Sequence, residues 1–294
     1  MALIAVDWGT TNCRAYRTDG AGAIQKTYSS ALGITSVAPG AYPGVLTAIR
    51  AALGADAPVL IAGMAGSNRG WAEAPYAAAP AAVLDVARLA IPAPGERRAR
   101  LLPGVRMAAP HASDVMRGEE TQIFGAEAAD GVLCLPGTHT KWARVASGAI
   151  VRFQTAMAGE VYHLLRTQSI LAGSLSGGAA AAEGGEGFLE GVAAAQDGRF
   201  LHAAFSLRPR SLLDGRDARW CEDFLSGLVI GSDVREAGLA PGTAVTILGA
   251  DALARLYALA LRAGGHVPIP GDGAQAFARG AARIARHIVW EEAR

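Results

Sequence analysis

Val6-Asp7-Trp8-Gly9-Thr10-Thr11-Asn12 ends a short apolar run over residues 2–7 and precedes an alternating run from Cys13 to Tyr16. It reads as strand, tight turn, strand. Asp7 stands where a buried strand ends. Gly9 lets the backbone approach a ligand closely. Thr10 and Thr11 add two hydroxyls beside backbone N–H groups. Such a turn holds phosphate oxygens, and the Asp7 carboxylate is placed for a metal ion or its water. An ordinary hairpin turn is the alternative that these residues alone leave open.

Half a chain later the pattern returns in Leu135-Pro136-Gly137-Thr138-His139-Thr140-Lys141-Trp142. Aligned on glycine, Gly137-Thr138-His139 matches Gly9-Thr10-Thr11, but the acidic residue is not repeated. Two unequal loops facing one cleft would grip different phosphates of one nucleotide, with Lys141 adding charge. A plain hairpin with a solvated lysine is the competing reading. Val245-Thr246-Ile247-Leu248 then reads as a strand that meets a turn at Gly249 and opens a helix at Asp251. Between these landmarks the patterning predicts a helix over 43–53, a strand over 58–62, a short element over 80–90, a helix over 119–128 and a strand over 131–135. Ser147-Gly148 predicts a hairpin turn. Helices follow over 188–196, 217–237, 251–263 and 274–290, and the Gly/Ala/Ser-rich stretch 172–187 reads as a linker or mobile loop. Mixed strands and helices argue for α/β layers.

Composition narrows the function. The 294 residues carry a net charge of +1, which gives no reason to expect a nucleic-acid partner. Three cysteines, Cys13, Cys134 and Cys221, are far apart and form no metal-ligand pair, which fits a reducing, cytoplasmic setting. No apolar run is long enough for a membrane span, and the N-terminal run lacks the basic flank of a signal peptide. Neither lysine, Lys26 or Lys141, follows a glycine, so there is no Walker A. GxGxxG, GxSxG and HExxH are also missing, which removes ordinary Rossmann, serine-hydrolase and zincin readings.

The Asp-x-Gly-Thr-Thr hairpin, the Pro-Gly-Thr hairpin and the Val245–Asp251 segment resemble, in order, the two phosphate motifs and the adenosine motif of the acetate and sugar kinase/Hsp70/actin superfamily. Ala62 to Tyr76, Asp114 to Gln122, Leu135 to Trp142, Thr155 to Glu160, Phe205 to Arg208 and Leu225 to Gly231 resemble signatures of the 2-dehydro-3-deoxygalactonokinase family. Two departures are visible: Asn68-Arg69 replaces an Arg-Gln pair, and Ala158 replaces a threonine. The resemblance implies a two-domain actin/hexokinase-like ATPase fold with ribonuclease H-like domains and an interdomain cleft, divided at about 1–127 and 128–294, with the last helix packing back across that boundary. It implies phosphorylation of 2-dehydro-3-deoxy-D-galactonate on its 6-hydroxyl, with ATP and Mg2+.

On this reading Asp7, Gly9, Thr10, Thr11, Gly137, Thr138, Lys141, Gly249 and Asp251 bind the nucleotide, and Asp7 positions the magnesium, through water. The base that withdraws the hydroxyl proton lies just before the helix leading to the second hairpin. Glu119 has the closest spacing and Asp114 competes, while simple helix capping would also place acids there. The sugar acid needs a planar cation. Arg69 is the first candidate, then Arg14, Arg117 and Arg208. Trp71, Tyr76 and Glu160 would contact the sugar chain, although both aromatics also suit a core. His139 fits the phosphate loop, and His111 and His163 read as structural. Two rivals stand beside this reading. One is a kinase for another keto-deoxy sugar acid, such as the gluconate epimer. The other is a non-enzymatic actin- or Hsp70-like nucleotide switch. A homodimer is compatible with either.

Overall fold

The apolar run is strand β1 (Leu3–Trp8) in the computed structural model of the chain, which describes residues 2–108, 113–127, 130–175 and 184–290. β1 pairs antiparallel with β2 (Cys13–Thr18), with Asp7 opposite Arg14 and Trp8 opposite Cys13. The meander continues into β3 (Ile24–Ser30). Helix α1 (Tyr42–Leu53) ends at Gly54, whose left-handed backbone closes the last turn. It leads into β4 (Val59–Gly63), fully buried and parallel to β1. β5 (Tyr76–Ala78), β6 (Ala81–Ala82), α2 (Val83–Arg88), β7 (Ile91–Ala93), β8 (Glu96–Leu101), β9 (Gly104–Met107), β10 (Asp114–Met116) and α3 (Glu119–Gly125) follow. The main sheet runs β3-β2-β1-β4-β8-β7, and β10-β9-β5 form a smaller one.

The chain then makes β11 (Gly131–Leu135), β12 (Thr140–Ala146) and β13 (Ala149–Ala156). Ser147 and Gly148 both have positive φ, 52° and 72°, which is the paired left-handed turn that suits a two-residue hairpin. Helices α4 (Ala158–Gln168), α5 (Glu186–Ala195), α6 (Phe200–Leu213) and α7 (Ala218–Glu236) precede β14 (Ala244–Gly249), α8 (Asp251–Ala263), β15 (Val267–Asp272) and α9 (Gly273–Ala285). The linker expected over 172–187 falls partly on 176–183, outside the described residues, and its last two positions already belong to α5. The helix expected over 119–128 ends at Gly125, and 128 is outside the described residues. The last helix stops at Ala285, short of the expected 290.

Contacts divide the chain into two units. One takes Met1–Gly131, Ala143–Phe153 and Gly271–Arg294; the other takes Val132–Trp142 and Gln154–Pro270. The first is built on Ile4, Val6, Trp8, Leu46, Ile49, Leu53, Val59, Ile61 and Leu101, packed between the main sheet and α1. In the second, β11 lies parallel to β14, and Cys134, Trp142, Phe188, Ile230, Val245, Ile247 and Tyr257 fill the space under α5, α7 and α8. Another cluster, with Leu171, Leu207, Trp220, Phe224 and Leu228, joins α6 to α7. These cores bury the apolar residues that patterning assigns to strands and helix faces, the main favourable term in folding.

Candidate active site

In the first unit the turn after β1 closes with Gly9 N–H donating to Asn12 O at 2.8 Å. The carbonyls of Gly9, Thr10 and Thr11 are engaged from one neighbouring segment. Ile34 N–H donates to Gly9 O, Thr35 N–H and hydroxyl to Thr10 O, and Gly33 N–H to Thr11 O, at 2.9–3.2 Å. A Cβ on Gly33 would lie 2.3 Å from Thr10 O, so only glycine allows that approach. The N–H groups of Thr10 and Thr11 have no acceptor among the described residues. The turn therefore presents donors and hydroxyls outward, which is what an anion requires.

Asp7 sits beneath this turn. Burial raises its carboxyl to about 6, helped by the negative charge of Glu119, while Arg14 pulls the other way. Gly118, with φ +111°, puts its Cβ position 3.2 Å from Gly63 Cα and 3.9 Å from Asp7 Oδ1. The two glycine turns thus bring the start of α3 against the end of β1. There Glu119 accepts from Arg117 N–H at 3.0 Å, and Glu120 accepts from Gly118 N–H at 2.8 Å. Both acids stand in the first turn of α3 and accept N–H groups of the two residues just before it, and no side chain caps the helix. Glu120 is fully buried, and burial, then the charge of Glu119, raises it to about 7. Asp114 lies on β10 and accepts its neighbour Val115's N–H; it is not among the groups acting on Asp7.

Of the residues proposed for the sugar acid, Arg117 stacks over Tyr76 at 4.2 Å and donates to Ala74 O at 2.9 Å. Its Nε and Nη1 are buried with no partner among the described residues. Trp71 stacks on Tyr42 at 5.3 Å and meets the edge of Trp8, so its ring is fixed by the core. Arg69 is exposed on the loop after β4, and Arg14 is exposed opposite Asp7. Arg208 belongs to the second unit and donates to Ile170 O. His163 is exposed on α4, and His111 is outside the described residues.

In the second unit the hairpin between β11 and β12 is held by the start of α4. Glu160 N–H donates to Thr138 O at 3.0 Å, and a Cβ on Gly159 would lie 2.5 Å from Gly137 O. The N–H groups of Gly137, Thr138 and His139 have no acceptor among the described residues, and no side chain caps α4. Glu160, proposed for the sugar, instead meets His139, Oε2 to Nε2 at 2.5 Å. Lys141 is not solvated: it is 6% exposed, with Nζ 3.5 Å from His139 O.

Beside this hairpin lies an apolar cavity of about 210 Å³, lined by Gly137, Gly159, Tyr162, Ser226, Leu253 and Tyr257 among others. An apolar cavity of about 150 Å³ takes benzene, so a purine ring fits. Gly249, where β14 ends, packs on Pro136 of the hairpin, 3.2 Å from a would-be Cβ to Cδ. Asp251 opens α8, and the next residues, Ala252 and Leu253, line the cavity. One wall is fixed by polar bonds that sequence reasoning missed. Tyr257 and Trp142 both donate to Asp233, and Thr140 Oγ1 pairs with Tyr257 at 2.8 Å. The signal was an acid and hydroxyls within otherwise apolar elements.

Residues 7–284 match the family described as 2-keto-3-deoxy-galactonokinase. The chain belongs to this family. The 2-keto-3-deoxy-galactonokinase relatives include the probable 2-dehydro-3-deoxygalactonokinase DgoK1 of Rhizobium meliloti (strain 1021), 35% identical over 97% of this chain and 96% of the relative. The 2-dehydro-3-deoxygalactonokinase of Escherichia coli (strain K12) is 32% identical over 97% of this chain and 98% of its own. A solved Sinorhizobium meliloti structure carrying the same kinase name superposes with a TM-score of 0.89 at 34% identity, covering 97% of this chain and 98% of that one. Component A of (R)-2-hydroxyglutaryl-CoA dehydratase from Acidaminococcus fermentans shares the fold at 14% identity, with a TM-score of 0.53 over 98% and 99% of the two chains. The expected actin/hexokinase-like ATPase fold is thus the fold of this kinase.

Proposed function

We propose that this kinase transfers the γ-phosphoryl group of ATP to the 6-hydroxyl of 2-dehydro-3-deoxy-D-galactonate. The observation that carries the nucleotide half is the second unit's purine-sized cavity, lined by Gly137 of a turn of unpaired N–H donors and by Gly159 of α4, which packs on that turn. The base enters the cavity, and the Gly137–His139 turn takes phosphate oxygens. Thr10 and Thr11 offer the first unit's matching turn. Lys141, held against His139 O, sets a positive charge beneath the second hairpin.

Glu119 acts as the base. Its carboxylate raises the proton affinity of Asp7, so it stands close to the first hairpin. Its oxygen takes the 6-hydroxyl proton as the new P–O bond forms and the bond to the β-phosphate oxygen breaks. The aligned N–H groups then hold ADP until it leaves. Among the described residues no cluster of three or more acids, histidines or cysteines could cage a metal. Asp7 would hold Mg2+, which takes one or two carboxylates plus nucleotide phosphates and waters, leaving Glu119 free to accept the proton. When bound, the ion neutralises charge on the transferring phosphoryl group.

Arg117, Tyr76 and the exposed Arg69 form the side of the first unit assigned to the acid. Three buried free thiols suit a reducing cytoplasm, and no described helix is long and apolar enough to cross a membrane. The test is ADP release across epimeric 2-keto-3-deoxy sugar acids. Turnover highest with the galactonate derivative is expected. Faster turnover of the gluconate epimer would reassign the substrate, and no ADP release with any such acid would end the kinase proposal.

A further inference from the structure

Helix α6 is apolar on two sides. Ala204 and Leu207 are buried in the cluster that holds it to α7. On the opposite side Leu201, Phe205 and Leu212 are 84%, 58% and 65% exposed. The helical turn sets these three and Arg208 in one stripe, with Pro209 beside it. Ile170, also exposed, extends the patch, since Arg208 donates to its carbonyl at 3.4 Å. Scattered apolar side chains on a surface need no explanation, but a continuous stripe marks a face that something covers.

Spacing and charge both say what covers it. The stripe residues 201, 205, 208 and 212 are separated by 4, 3 and 4 positions, the alternation of a seam between packed helices. That spacing is the same read from either end. A second α6 laid antiparallel therefore sets Leu201 on Leu212 of the second copy and Phe205 under Arg208 of the second copy, and the reverse, about a two-fold axis. The latter contact is a cation over an aromatic face. At the helix ends, Arg199 is the N-cap and Asp214 the C-cap. Each has the wrong sign for its own helix dipole. Both are exposed and neither makes an ion pair among the described residues, whereas nearby Arg210 and Arg216 both bridge Glu190. The same antiparallel register brings Arg199 to the C-terminal end and Asp214 of the second copy, where both charges become favourable.

We propose that the outward face of α6 is an isologous interface, on which a second copy of this chain packs its own α6 antiparallel. The face lies wholly in the second unit, and the proposal does not depend on the nucleotide or sugar assignments. Sedimentation velocity across a concentration series tests it on the full chain. The wild-type mass should rise from one chain to two. Phe205→Asp and Leu201→Asp should each abolish the rise while the circular dichroism spectrum stays unchanged, since both side chains are exposed. Arg199→Asp alone and Asp214→Arg alone should each weaken association by about 10-fold, because each sets like charges together twice across the two-fold axis. The two reversals combined should restore it. That rescue cannot come from within one chain, where the two residues stand at opposite ends of the helix. A wild-type chain that stays single at every concentration overturns the proposal and leaves the stripe to a different protein or to another segment of this chain. A dimer that survives both stripe substitutions, or reversals that fail to rescue each other, overturns it as well.

Discussion

At Glu119 and Glu120 two neighbouring acids have different fates because one side chain is half-buried near Asp7 and the other fully interior. Glu119→Gln should lower kcat by about 10²–10⁴, the usual worth of a general base, with little change in ATP affinity. Full activity in that variant, with loss in Asp114→Asn, would move the role to Asp114. Glu120 tests the electrostatics of the same turn. Its folded carboxyl is raised to about 7 from an ordinary 4.5, so the folded state binds the extra proton between those values. Its contribution therefore declines as pH rises from about 4.5 through 7, by up to roughly 3 kcal/mol. Glu120→Gln keeps an acceptor for Gly118 N–H and should flatten that part of the stability profile, raising the denaturation midpoint above pH 7. Parallel profiles for the two proteins would refute the assignment. Spacing alone pointed to Glu119 but did not separate a structural role, such as its bond to Arg117 N–H, from a catalytic one, because both need an acid in the first turn. Glu160 was read as a sugar contact, and its pairing with His139 emerges only once α4 is laid on the hairpin.

Helices in this protein approach closely where glycines face each other. A Cβ on Gly280 of α9 would lie 1.8 Å from Thr121 O, and one on Gly125 of α3 would lie 1.7 Å from Ala276 O. Gly280→Ala should therefore cost about 1–3 kcal/mol by overpacking, read as a lower urea midpoint. Gly44, inside α1, has open space around its Cβ position; Gly44→Ala should stabilise by about 0.5–1 kcal/mol. If both substitutions shift the midpoint alike, contact at the α3–α9 crossing is not what Gly280 supplies. The same scale explains which elements the sequence revealed. β1, β4, β11 and β14 are buried on both faces and read as apolar runs. β3 did not, since Ile24–Ser30 is largely polar and exposed at a sheet edge. Nor did β15, whose two prolines argue against a strand except at an edge. α6 hid because Leu201, Phe205, Leu212 and Leu213 face outward and Pro209 lies within it.

Across the whole chain, the segment after Pro270 returns to the unit that begins with β1. Phe277 of α9 packs on Tyr16 of β2 at 5.9 Å. Gln275 donates to Gly22 O at 2.6 Å and accepts from Ile24 N–H, and Arg283 donates to Phe124 O. The strand bearing Asp7 and the helix bearing Glu119 thus share one support, supplied by residues more than 150 positions later. A chain ending at Pro270 should lose hydrogen-exchange protection in β1, β2 and α3 first, because Tyr16 and the glycine face of α3 lose their cover. Protection in α5, α7 and α8 should persist, since their core draws on Phe188, Ile230 and Tyr257, all retained. The shortened chain should accordingly keep ADP binding in the second unit's cavity while losing phosphoryl transfer. Uniform loss of protection in every element would show instead that the two units fold as one cooperative body and that α9 supports both.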